Sequence, residues 1–131
     1  MYELEVILHV DDDNDILDLA RMGFEFAGDF VVHQCRTGAE ALAVIGTVKP
    51  DLLLLDVRMP DVDGMMLLSN IRGIPEFSDL PAVFMTGSIE GNRPGATTLP
   101  GVIGHIIKPF DPLTIADQLT NIWSEHHMQT V

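Results

Sequence analysis

Acidic, hydroxyl and basic side chains stand where apolar runs of this sequence end. The run "EVILHV" (5–10) is followed by Asp11 and Asp12, "DLLLLD" (51–56) closes on Asp56, "PAVFMT" (81–86) on Thr86, and "GHIIK" (104–108) on Lys108. The runs are otherwise almost wholly apolar, so chance could place one or two such residues there but not the whole set; together they describe a site. Asp11, Asp12, Asp13 and Asp15 fall within five positions. Like charges that close repel, and a cation or a basic surface is needed to neutralise them. Asp13 and Asp15 fit the start of a helix, where free amides and the helix dipole favour acids.

What positions these residues is an alternation of strand-length and helix-length segments. A further run, "FVVHQC" (30–35), brings the strands to five, and three of the five lack strict polar alternation. That pattern suits strands covered on both faces in a parallel sheet. Between them, Ile16, Ala20, Phe24 and Ala27 share a helical face, and Thr37 with Glu40 stand at capping-box spacing before Ala41, Leu42 and Ile45. Asp63 is placed to cap a third helix with Leu67, Leu68 and Ile71 inward, and Asp111 with Pro112 opens a last one facing in through Leu113, Ala116, Leu119, Ile122 and Trp123. The segment 87–103 holds four glycines and two prolines, enough to limit it to a turn or two of helix. Strands alternating with helices imply right-handed crossovers and a three-layer α/β domain, whose ligand site lies beyond the carboxyl ends of the strands.

Composition narrows the function. Twenty acidic against seven basic residues give a net charge of −13, which disfavours nucleic acid and anionic lipid. Cys35 is the single cysteine, so no intrachain disulfide forms, and it reads as a core residue. No apolar run reaches membrane-spanning length and no signal segment is evident, so cytoplasmic residence is the expectation. A calcium loop starting at Asp11 fails, because its sixth position is Ile16 and its twelfth Met22. His9, His33 and His105 lie on different strands without ligand spacing, and no P-loop or Ser/His/Asp order is found.

"VDDDND", "LLLLDVRMPDVDG", "FMTGS" and "IIKPF" resemble, in order and spacing, the motifs of the receiver domains of two-component response regulators, the chemotaxis response regulator among them. The intervals are 44 residues from Asp12 to Asp56, 30 to Thr86 and 22 to Lys108. The resemblance implies a flavodoxin-like three-layer sandwich with a five-stranded parallel sheet of order 2-1-3-4-5, its helix 4 irregular or short. It implies a bacterial phosphorelay protein that takes phosphate on Asp56 from a histidine kinase or a histidine phosphotransfer protein. Mg2+, with Mn2+ able to replace it, would bind Asp11, Asp12, Asp56 and the backbone carbonyl of Arg58. Thr86 and Lys108 would contact the phosphoryl oxygens, and Lys108-Pro109 would be cis, as is usual in the family. Arg58 and Ser88 would influence phosphate lifetime.

By the same resemblance the chain is no turnover enzyme; it modifies itself, with Mg2+-dependent self-phosphorylation and autodephosphorylation. The receiver would span 1–124, with a short polar tail at 125–131. Thr86 would act in a switch together with His105, which stands where the family commonly has Tyr or Phe. Direct nucleic-acid and membrane contacts are not expected, and any homodimer would be weak. Two other classes compete. One is a phosphorylation-independent, receiver-like interaction module, mildly favoured by the irregular segment and opposed by the complete residue set. The other is an Asp-dependent phosphohydrolase, which would want a second acid where Arg58 stands.

Overall fold

The computed structural model describes residues 3–59, 62–87 and 101–129. The element order is β1 (Val6–Val10), α1 (Asn14–Ala27), β2 (Val31–Cys35), α2 (Gly38–Val48), β3 (Leu52–Asp56), α3 (Gly64–Arg72), a 3-10 turn (Pro75–Phe77), β4 (Ala82–Thr86), β5 (Val102–Ile107) and α4 (Ile115–Gln129). All strand pairs are parallel, in the order β2-β1-β3-β4-β5. This is the expected flavodoxin-like arrangement. The helix expected between the fourth and fifth strands lies outside the described residues, so α4 here is the helix after β5.

The run Leu52–Leu55 shows why the sheet is central. Each of these leucines is fully buried, which only a strand covered on both faces allows. Alternation then divides them: Leu52 and Leu54 join Ala20, Phe24, Ile115 and Leu119 beneath α1 and α4, whereas Leu53 and Leu55 join Ala41, Ile45, Leu67 and Ile71 beneath α2 and α3. The two cores are separate layers.

Helix starts follow the capping residues. Asp13 accepts from the Asp15 amide, Thr37 from the Glu40 amide and Asp63 from the Met66 amide. Glu40 turns its carboxylate back to the Arg36 amide at 2.8 Å, one residue before the reciprocal position of a capping box. At the last helix Asp111 accepts from the Leu113 amide, and a turn precedes the helix proper at Ile115. Leu113 therefore sits outside the packed face and is 63% exposed, unlike its expected neighbours Ala116, Leu119 and Trp123. Ala27 is exposed as well, and Leu17 and Gly23 take up the buried face of α1. Residues 125–129, expected as a tail, continue α4, where the His127 ring packs at a tilt against Trp123 with centroids 4.2 Å apart and its Nδ1 bonds the Trp123 carbonyl at 2.8 Å.

Candidate phosphoryl-transfer site

β1 and β3 are neighbours because the strand order reverses between them, β2 lying on one side of β1 and β3 on the other, and their last paired residues are Val10 and Leu55. One step further along each strand brings Asp11 opposite Asp56. Both are buried, at 0% and 8% exposure, while Asp12 is exposed. One carboxylate oxygen from each of Asp11, Asp12 and Asp56 lies within 4.8 Å of the others. Lys108, on the strap after β5, reaches into this group: Nζ is 2.9 Å from Asp11 Oδ2 and 3.2 Å from Asp56 Oδ1. Its backbone amide is bound to the Thr86 carbonyl at 2.7 Å, and the Lys108-Pro109 peptide is cis, as expected from the resemblance.

The charges do not balance. Three acids share one ammonium, and two of the acids are out of water. Burial, then the Asp11 charge, pushes the Asp56 carboxyl above its usual range, and Lys108 only partly offsets this. For Lys108 itself, burial works against the ammonium, but the hydrogen bond and charge of Asp11, followed by those of Asp56, outweigh it and raise the pKa. Oxygen donors clustered with surplus negative charge fit a hard divalent cation. Asp13 and Asp15 belong to the start of α1: the Asp15 amide donates to Asp13 Oδ1 at 2.9 Å, which caps the helix, and the backbone amide of Asp13 donates to Asp11 Oδ1 at 2.9 Å.

The surroundings are fixed by backbone contacts. The Arg58 amide approaches Asp56 Oδ1 at 3.4 Å, so the main chain after β3 borders the carboxylate, and the Arg58 side chain is exposed. Gly64 begins α3 against the Asp56 carbonyl; a Cβ there would come within 2.3 Å of that oxygen, so only glycine allows the approach. Thr86, 5% exposed, ends β4 beside Asp56, whose register partner is Met85. His105 pairs with Phe84 across β4 and β5, is half-buried, and has its pKa lowered by burial. Ser88 lies outside the described residues.

A family model described as the response regulator receiver domain matches residues 7–120. The chain belongs to the receiver domain family. Among curated proteins, this receiver is 36% identical over 109 residues to an uncharacterized 14.6 kDa protein in the sodA1 3' region of Leptolyngbya boryana, covering 83% of this chain and 82% of the relative. It is 34% identical over 107 residues to the DNA-binding dual master transcriptional regulator RpaA of Synechocystis, covering 80% of this chain but only 43% of that protein. Among solved structures it resembles the chemotaxis response regulator CheY4 of Vibrio cholerae, with a TM-score of 0.81 and 24% identity over 92% of this chain and 99% of that one. A CheY-like receiver domain protein from Methanospirillum hungatei gives a TM-score of 0.78 at 29% identity, over 97% and 99% of the two chains.

Beneath the receiver's acids lies a polar group that the motifs do not include. His9 is fully buried two residues before Asp11, and the Gln34 side chain donates from Nε2 to its Nδ1 at 3.3 Å. Burial, with Lys108 and then Arg21 nearby, lowers the His9 pKa from 6.5 to about 3. Strand alternation was the available signal: in "ILHVD" residues 7, 9 and 11 share a face, so a polar side chain at 9 must lie in the layer under Asp11.

Proposed function

We propose that this receiver stores a phosphoryl group on Asp56 and signals through the change that follows. The observation that carries the reading is the joint placement of Asp56, Asp11 and Lys108 at the ends of three strands, with Nζ between two buried carboxylates. Asp56 Oδ attacks the phosphorus of a phosphohistidine or a small acyl phosphate. The O–P bond forms as the P–N or P–O bond to the donor breaks, and the leaving imidazole or carboxylate keeps the electron pair. Mg2+ bound at Asp11, Asp12, Asp56 and the Arg58 carbonyl, or Mn2+ in its place, would neutralise the charge that spreads over the phosphoryl oxygens. Lys108 exchanges its bond to Asp56 for one to a phosphoryl oxygen, and the Thr86 hydroxyl donates to another.

Hydrolysis then returns the chain to its starting state, and Arg58 and Ser88 border the group whose lifetime they would set. Thr86 and His105, on the neighbouring strands β4 and β5, form the switch. The donor is a histidine kinase or a histidine phosphotransfer protein, and the acidic surface favours a basic docking face on it. No helix among the described residues is long and apolar enough to cross a membrane. The same reading places the receiver in the cytoplasm, without direct nucleic-acid contacts and with at most a weak homodimer. Incubation with Mg2+ and a small acyl phosphate should add one phosphoryl mass to the intact chain, and chelation of the metal should prevent it. No gain under any donor would end the proposal.

A further inference from the structure

Gln34 on β2 reaches the N-terminal acids of the site by two routes. Its Nε2 donates to the Leu17 carbonyl at 2.7 Å and to His9 Nδ1 at 3.3 Å, while its Oε1 accepts from Arg21 Nε at 3.0 Å. The Arg21 guanidinium can only donate, so it holds the amide oxygen and leaves both amide hydrogens for Leu17 and His9. The first route runs through α1: the Leu17 amide donates to the Asp13 carbonyl at 3.1 Å, and the Asp13 amide to Asp11 Oδ1 at 2.9 Å. The second runs through β1, where the buried His9 ring precedes Asp11 by two residues on the same strand face.

Between these routes lies Asp12. Asp11 and Asp56 are immobilised by burial, but Asp12 is exposed, so its place relative to them is set by the backbone leading from β1 into the first turn of α1. Both routes from Gln34 hold that backbone, one from each side. We propose that Gln34 is a positioning residue for the cation site, which fixes β1 against α1 so that Asp12 stays within ligand distance of Asp11 and Asp56. The inference rests on the reading of these acids as a divalent-cation site. Partners that hold metal ligands in place typically control metal affinity by about tenfold or more.

Calorimetric titration of the full chain with Mg2+, alongside thermal unfolding, separates positioning from general stability. Gln34→Met keeps most of the volume, removes all three bonds, and should weaken Mg2+ binding about tenfold. His9→Leu cuts only the strand route and should weaken it less. Ile71→Val trims a fully buried residue in the opposite core layer, so it should lower the unfolding temperature and leave Mg2+ affinity as in the wild type. Unchanged affinity in Gln34→Met, or equal weakening in Ile71→Val, would overturn the positioning role and leave the cation site standing. A wild-type chain that takes up no Mg2+ would overturn both.

Discussion

Two polar residues on one face of β1, His9 and Asp11, are both 0% exposed, yet the fold treats them in opposite ways. Asp11 is paired with an ammonium at 2.9 Å and accepts a backbone amide. His9 has a single neutral donor, Gln34, and its Nε2 has no hydrogen-bond partner among the described residues. Lys108 acts on both: it offsets the charge of the acids and helps to keep His9 neutral. A buried group keeps its charge where an opposite charge is in reach, and otherwise gives it up. In β1 that difference is resolved over two residues, so the charged mouth of the site ends sharply above a neutral layer.

The largest expected effect comes from forcing charge onto the neutral side. The folded pKa of His9 is depressed to about 3, so between pH 6.5 and 3 the unfolded chain binds the extra proton and stability falls as pH falls. Relative to His9→Leu, the wild type should lose up to about 5 kcal/mol across that window, from about 1.36 kcal/mol per pKa unit. Denaturant unfolding at a series of pH values checks this; parallel profiles for the two proteins would remove His9 from the comparison. Next in size is the charged side. Lys108→Met leaves Asp11 and Asp56 buried without their cation and should cost about 3 kcal/mol at neutral pH. Added Mg2+ should recover part of that loss, which a simple packing defect would not show. The smallest effect belongs to an ion pair in water: Lys49 and Glu76 stand 3.8 Å apart with side chains 67% and 53% exposed, and Lys49→Ala should change stability by less than about 0.5 kcal/mol. A large loss there would mean that burial is not what separates the two kinds of pair.

Strand-end residues were legible because apolar runs of five or six residues mark both the strand and its end. Asp11, Asp12, Asp56, Thr86 and Lys108 therefore stand at or just past the strand ends, as their spacing requires, and Asp13 caps α1 through the Asp15 amide. Partners supplied by a different strand were not legible. Nothing in the spacing of His9 and Gln34 announces that they meet, since register between β1 and β2 sets it, pairing His9 with Gln34 directly. Leu113 misled for a local reason: the chain makes a turn after Asp111 before entering α4, so Leu113 precedes the helical face that Ala116, Leu119 and Trp123 form as expected. The mostly polar residues 125–129 hid a helical turn, because the contact of His127 with Trp123 is a pairing that average polarity does not register.

Asp56 as the phosphoacceptor is tested most directly by marking the residue itself. An acyl phosphate on aspartate is reduced by borohydride to homoserine, so phosphorylation with Mg2+ and a small acyl phosphate, followed by reduction and peptide mapping, labels the acceptor. Homoserine at position 56, absent in Asp56→Asn, is the expected result. Homoserine at Asp11 or Asp12 instead, or no label on a chain that binds Mg2+, would contradict it.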